Sequence, residues 1–377
     1  MLTCYVLVCL SCSLVTSCAR ERSTSSGDEP IFTTWQTEIG GVSADQATNS
    51  FQTDDGGYLI TGVTYSTGTS GVFVLKLDST GQAISHAIVG GQGSDWLSDA
   101  CLLRDGNYIL AGVDRSNTAS DRIYAIVVDR LGEVLLDTAI GPSSSGARAV
   151  EATADGGILF AGLAQHTLLL LKIDYNMTVE WSQSPKSSVH AQPNGVANTS
   201  DSGFVVVGEE GAFGGGNVDA FVFRTNRDGR VSWWRHIDIS SYDGATDVVA
   251  TPDGSFIVCG GSVGNAFLVK LGSNGRIVWL KTYGENAGAI FDKLTLLPDG
   301  DILVSGATQG AASGGVRAWL LRFDPDFNLR WESILGAGDV YSPVTSVPTI
   351  DGGYLVVGTS HGKVYVAKTE ELGKVHE

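Results

Sequence analysis

The stretch Asp55-Gly56-Gly57-Tyr58-Leu59-Ile60-Thr61-Gly62 holds the key to this chain. An Asp-Gly pair tolerates positive φ and favours a tight hairpin turn. The apolar run behind it reads as a buried strand, and a Gly closes it. The same pattern returns at Asp105, Asp155, Asp201, Asp253, Asp299 and Asp351, at spacings of 50, 50, 46, 52, 46 and 52 residues. Seven residues beyond each Asp stands Gly62, Gly112, Gly162, Gly208, Gly260, Gly306 or Gly358. With Gly at 49 of 377 positions, seven agreements in seven are not chance.

A second marker runs in phase. Trp35, Trp181, Trp233, Trp279 and Trp331 share one repeat position, which Ser85 and Leu136 take in the other two copies. Each copy reads as four strands. The first precedes the Asp-Gly turn, and the second ends at the marker Gly. The third is the most apolar, as in Val72-Phe73-Val74-Leu75-Lys76-Leu77, and runs into the turn Asp78-Ser79-Thr80-Gly81. The fourth carries the Trp. Four short strands in a unit of about 40–50 residues are the signature of a propeller blade. The expected fold is therefore all-β: a seven-bladed β-propeller with four antiparallel strands per blade. The last copy stops after its third strand, and Ile31 to Ile39 with Trp35 is a lone fourth strand. The N-terminal strand is thus expected to complete the last blade and remove its open edge.

Residues 31–377 read as one domain. Residues 1–18 are uncharged, mostly apolar, and too short to span a membrane comfortably. They end in Leu14-Val15-Thr16-Ser17-Cys18, which resembles the bacterial lipobox. That resemblance implies a lipoprotein-type signal peptide, lipidation of Cys18, and a membrane tether through the lipid. Residues 19–30, rich in Ser and Thr, read as a flexible linker. Ala19 after Cys18 resembles the outer-membrane sorting pattern. The chain is expected to be exported and lipid-anchored to the cell envelope, or secreted if Cys18 is not lipidated. Cys101 and Cys259 lie in apolar stretches of different copies and read as free buried thiols.

The formal charge of −17 repels phosphate backbones, so no nucleic acid is expected as a partner. Strand alternation puts the Asp-Gly and Asp-x-x-Gly turns on one face and the variable loops on the other. Loops on a rigid scaffold commonly carry function. Candidate ligand-binding residues on that face are Asp95, Trp96, Arg115, His190, Tyr242, Asp243, Glu285 and Tyr341. Acidic and aromatic groups together suit a sugar, a peptide or a cation. Carboxylates such as Asp95, Asp243, Asp247, Glu285 and Asp339 keep open an alternative, a polysaccharide hydrolase or lyase at the channel mouth. No catalytic residue is assigned and no metal or other cofactor is expected, because His and Cys lack ligand spacing.

Several resemblances follow from these motifs. Asn226 to Trp233 partially resembles the sialidase Asp box, but that family needs several Arg for its substrate, and only Arg148 lies near the start of a first strand. Leu271 to Trp279 is similar to the tryptophan-docking repeat of quinoprotein-type propellers, in which the Trp packs between blades. Asp55 to Gly62, Asp351 to Gly358 and Lys76 to Gly81 resemble a repeat of exported bacterial and archaeal proteins. The resemblance implies an extracytoplasmic propeller acting as a binding or scaffold module for a protein, peptide or glycan.

Overall fold

The computed structural model describes residues 33–40, 45–65, 69–90, 94–115, 120–185, 190–211, 216–284, 288–309, 315–336 and 339–375. These form 28 strands in seven four-stranded antiparallel sheets, a seven-bladed β-propeller. In six blades the strands follow chain order from the inner to the outer edge. The seventh begins with Tyr341–Pro348, Tyr354–Ser360 and Lys363–Thr369, and takes Trp35–Ile39 as its outer strand. Trp35 faces Lys368 and Ile39 faces Val364 across that junction. The first described strand therefore closes the ring as the sequence predicts.

The repeat motif has a local cause at each position. Gly56 adopts φ +78° in the first turn, where a side chain would be strained. Asp55 Oδ1 accepts from Gly57 N at 3.0 Å and from Thr53 Oγ1 at 2.5 Å. At the marker Gly62, a Cβ would lie 2.2 Å from Gln46 O, so the inner and second strands could not approach. The other markers face the same crowding, from 1.8 Å at Gly112 to 2.8 Å at Gly358.

A cation on the third strand pairs with the turn Asp in six blades. The pairs are Lys76–Asp55 at 2.9 Å, Lys172–Asp155 at 3.2 Å, Arg224–Asp201 at 2.6 Å, Lys270–Asp253 at 3.2 Å, Arg322–Asp299, and Lys368–Asp351 at 2.9 Å. The second blade has Val127 at that register instead, opposite Ile109. Lys76 of the Lys76-Leu77-Asp78 motif, and the Lys or Arg at the same position in five other blades, thus clamp the turn of their own blade. Burial alone would raise the Asp55 carboxyl, but hydrogen bonds from Thr53, Lys76 and Gly57 hold it at about 2.

The apolar core lies between blades. Ile60 and Phe73 of the first blade, for example, share a cluster with Leu355 and Val357 of the seventh. The marker Trp residues cap these joints from outside. A Cβ on Gly81, Gly229, Gly275 or Gly373 would fall within 2.5–2.7 Å of the ring of Trp35, Trp181, Trp233 or Trp331. Each of these Trp rings lies over the turn that ends the third strand of the next blade, as Trp35 does over Asp78 to Gly81. At the fifth joint Trp279 meets Phe327 instead, with ring centroids 4.5 Å apart. Cys101 and Cys259 are buried thiols outside any disulfide, as expected.

Candidate functional site

Each inner strand carries an irregularity in its pairing with the second strand, for example between Ala47 and Asn49 or Ala147 and Ala149. A bulge inserts one residue and re-aims the side chains around it. In the first six blades the inserted residues are Thr48, Ser98, Arg148, Asn194, Thr246 and Asp292. Four of them, Arg148, Asn194, Thr246 and Asp292, tie one inner strand to the next. Asn194 Nδ2 donates to Ala245 O at 3.0 Å, Thr246 Oγ1 donates to Phe291 O at 2.7 Å, and Val344 N donates to Asp292 Oδ2 at 2.8 Å.

Three of the residues just after the bulges meet in the channel. Lys293 Nζ lies 3.9 Å from Asp99 Oδ1 and 3.7 Å from Asp247 Oδ2. Asp99 belongs to the second blade, Asp247 to the fifth and Lys293 to the sixth. The second and sixth blades are three steps apart around the ring, the farthest that two of seven can be. The ammonium therefore bridges the channel at mid-height. Asn49 Nδ2 donates to Asp99 Oδ1 at 2.9 Å, and the backbone of Val150 and Leu294 donates to Asp99 and Asp247 at 3.0 and 2.9 Å. Burial pushes the Asp247 carboxyl up, against the pull of Lys293.

The residues expected to form a binding face are distributed around its rim. Asp95 and Asp243 are buried at the start of two inner strands and hold loop backbone. Arg115 N donates to Asp95 Oδ1 at 2.9 Å; Ile239 N and Ser240 N donate to Asp243 Oδ2 at 2.7 and 2.9 Å. The Arg115 side chain is half exposed, 3.6 Å from Asp121. Trp96 sits edge-on to Tyr65 with centroids 6.4 Å apart. His190 enters its inner strand at φ +80°. Tyr242 is half exposed and donates to Glu209 Oε2 at 2.8 Å. Burial, and then that bond, push its phenol up to about 12. Tyr341, also half exposed, donates to Asp339 Oδ2 at 3.2 Å. Glu285 lies outside the described residues, as do Cys18, the leader and the linker.

The face thus divides into two kinds of residue. Trp96, Tyr242 and Tyr341 present ring surface to solvent or to the channel mouth. Asp95 and Asp243 hold the rim in shape. The channel residues Asn49, Asp99, Arg148 and Lys293 were not among the expected ligand-binding positions. Their signal is their place at the middle of an inner strand, beside or on the bulge, visible only once the bulge is known.

No protein-family model matches the chain, and no curated protein does. Solved structures of the same fold are similar to it. The BBS1N structure, in complex with ARL6DN and soaked with lead, matches at a TM-score of 0.55 with 10% identity, over 91% of this chain and 97% of that one. YCF48 from Cyanidioschyzon merolae matches at 0.54 with 8% identity, over 89% and 98%. A protein from Lactobacillus plantarum matches at 0.56 with 14% identity, over 81% and 90%. At such identities the likeness shows one thing, that this chain is a β-propeller.

Proposed function

We propose that this propeller is a binding scaffold that presents its variable-loop face to a protein, peptide or glycan. One observation carries the reading: the two faces are built differently. The turn face is clamped by ion pairs in six blades, whereas the loop face leaves Tyr242 and Tyr341 half exposed at the rim. Exposed aromatic rings on a rigid frame give contact area at little entropic cost. A complex such as BBS1N with ARL6DN is a precedent for protein binding by this fold. Lipidation of Cys18 would hold the scaffold at the cell envelope, facing outward from the cytoplasm.

The test is an array of glycans and peptides probed with the purified chain. Saturable binding to a defined subset supports the reading. Uniform absence of binding, together with no partner recovered by cross-linking at the native cell envelope, contradicts it. Mass spectrometry of the mature N-terminus checks the anchor. A diacylglyceryl group on Cys18 supports it, and an unmodified cleaved end rules it out.

A further inference from the structure

The seven inner strands contain two basic residues, and the structure treats them differently. Lys293 is held between Asp99 and Asp247. Arg148, the bulge residue of the third blade, has no such partner. One guanidinium nitrogen donates to Gln192 Oε1 on the fourth blade. Its Nε is shut off from solvent and meets no acceptor. Among the described residues no carboxylate forms an ion pair with it.

The nearest acidic influence is Glu209, which acts on Arg148 through space only. Glu209 is engaged elsewhere, because its Oε2 accepts from Tyr242 Oη at 2.8 Å. Gly244 makes room for that arrangement, since a Cβ there would sit 2.8 Å from the same oxygen. A half-buried cation whose Nε is shut off from water, with no counter-ion, lowers stability. Scarcity of acids does not explain it, because the chain has 41 Asp and Glu against 24 Lys and Arg.

We infer that Arg148, reaching from mid-strand to Gln192 near the loop-face end of the channel, is the anchor for a ligand carboxylate there. The inference rests on the binding-scaffold reading and names the ligand's chemistry. A guanidinium matches a carboxylate in a planar, two-pronged geometry that an ammonium does not. Glu209 and a net charge of −17 disfavour a doubly charged phosphate more than a singly charged group. The carboxylate belongs to an acidic sugar or to a peptide C-terminus.

Thermal melts of the purified chain at fixed ionic strength test this. The probes are glucuronate against glucose, and a short peptide acid against its C-terminal amide. One acid of the two pairs raises the midpoint, and its neutral counterpart does not. Arg148→Gln weakens that response by about tenfold or more, the value of a charge-assisted hydrogen-bond pair. Arg148→Met without ligand melts no lower than the parent, because it removes an unpaired charge. The assignment is overturned if neither acid shifts the melt, if phosphate alone does, or if Arg148→Gln responds like the parent. Array binding that survives Arg148→Gln also overturns it, yet leaves the scaffold reading intact. Loss of all array binding in the parent strikes that reading itself.

Discussion

The two faces of this ring are made by different physics. On the turn face the hairpin turns are fixed by their own backbone and, in six blades of seven, by a cation on the third strand. Lys76, Lys172 and Lys368 are almost wholly buried there, at 2 to 3% side-chain exposure. On the loop face, the polar groups at the rim serve each blade in its own way. Asp95 and Asp243 hold loop backbone, whereas Tyr242 and Tyr341 donate to separate carboxylates. Repetition marks the face that holds the molecule together, and irregularity marks the face available for recognition.

Trp233→Ala strips the cover from the turn at Gly275 and costs about 2–4 kcal/mol, because it removes a large ring packed on backbone. The control is Ser85→Ala, at the same repeat position without a ring, which stays within about 0.5 kcal/mol. Denaturant melts of both variants read the difference.

Next comes the clamp. Asp55→Ala leaves the Lys76 ammonium buried without its carboxylate and costs about 2 kcal/mol, reduced from the fully buried case because Asp55 is half exposed. Asp105→Ala in the second blade has no cation to strand, since Val127 stands there, and costs about 1 kcal/mol or less as a lost turn contact. Equal losses in the two variants would remove the clamp from the account.

Acid should act on the same face. The turn carboxyls Asp55, Asp155, Asp201 and Asp351 are held below their ordinary values in the folded chain. A depressed folded value means that the unfolded chain binds protons first. The stabilisation is fully present above the ordinary value near pH 4 and fades as pH falls towards about 2. Melting midpoints between pH 5 and pH 2 should drop less steeply for Asp55→Ala than for the parent. The smallest effect belongs to the loop face: Tyr341→Ala shifts stability by about 0.5 kcal/mol or less, as for other exposed sites.

The fold was legible because its signals are local. An Asp-Gly turn needs no distant partner to declare itself, and Gly62 is required by a contact one strand away. The Trp series was legible for the same reason, down to the register that sets Ser85 and Leu136 opposite Lys76 and Val127. The clamp lay in view within the Lys-Leu-Asp motif, but pairing it with the turn Asp required the hairpin register. The channel was not legible. A bulge shifts the side-chain alternation by one, so Arg148 and Lys293 cannot be assigned to the channel from period-two reasoning. Asp95 and Asp243 carry a signal of a different kind. They stand at one fixed distance before Gly112 and Gly260, as Asp45 does before Gly62, and that regularity marks a role within the repeat.

The most direct test sets the two faces against each other in one assay. The array of glycans and peptides is probed with the parent chain, with Trp96→Ala from the loop face and with Asp105→Ala from the turn face, each confirmed folded by its melt. The account predicts that Trp96→Ala loses the bound subset and Asp105→Ala retains it. Retention by Trp96→Ala with loss by Asp105→Ala would place recognition on the opposite face and contradict it.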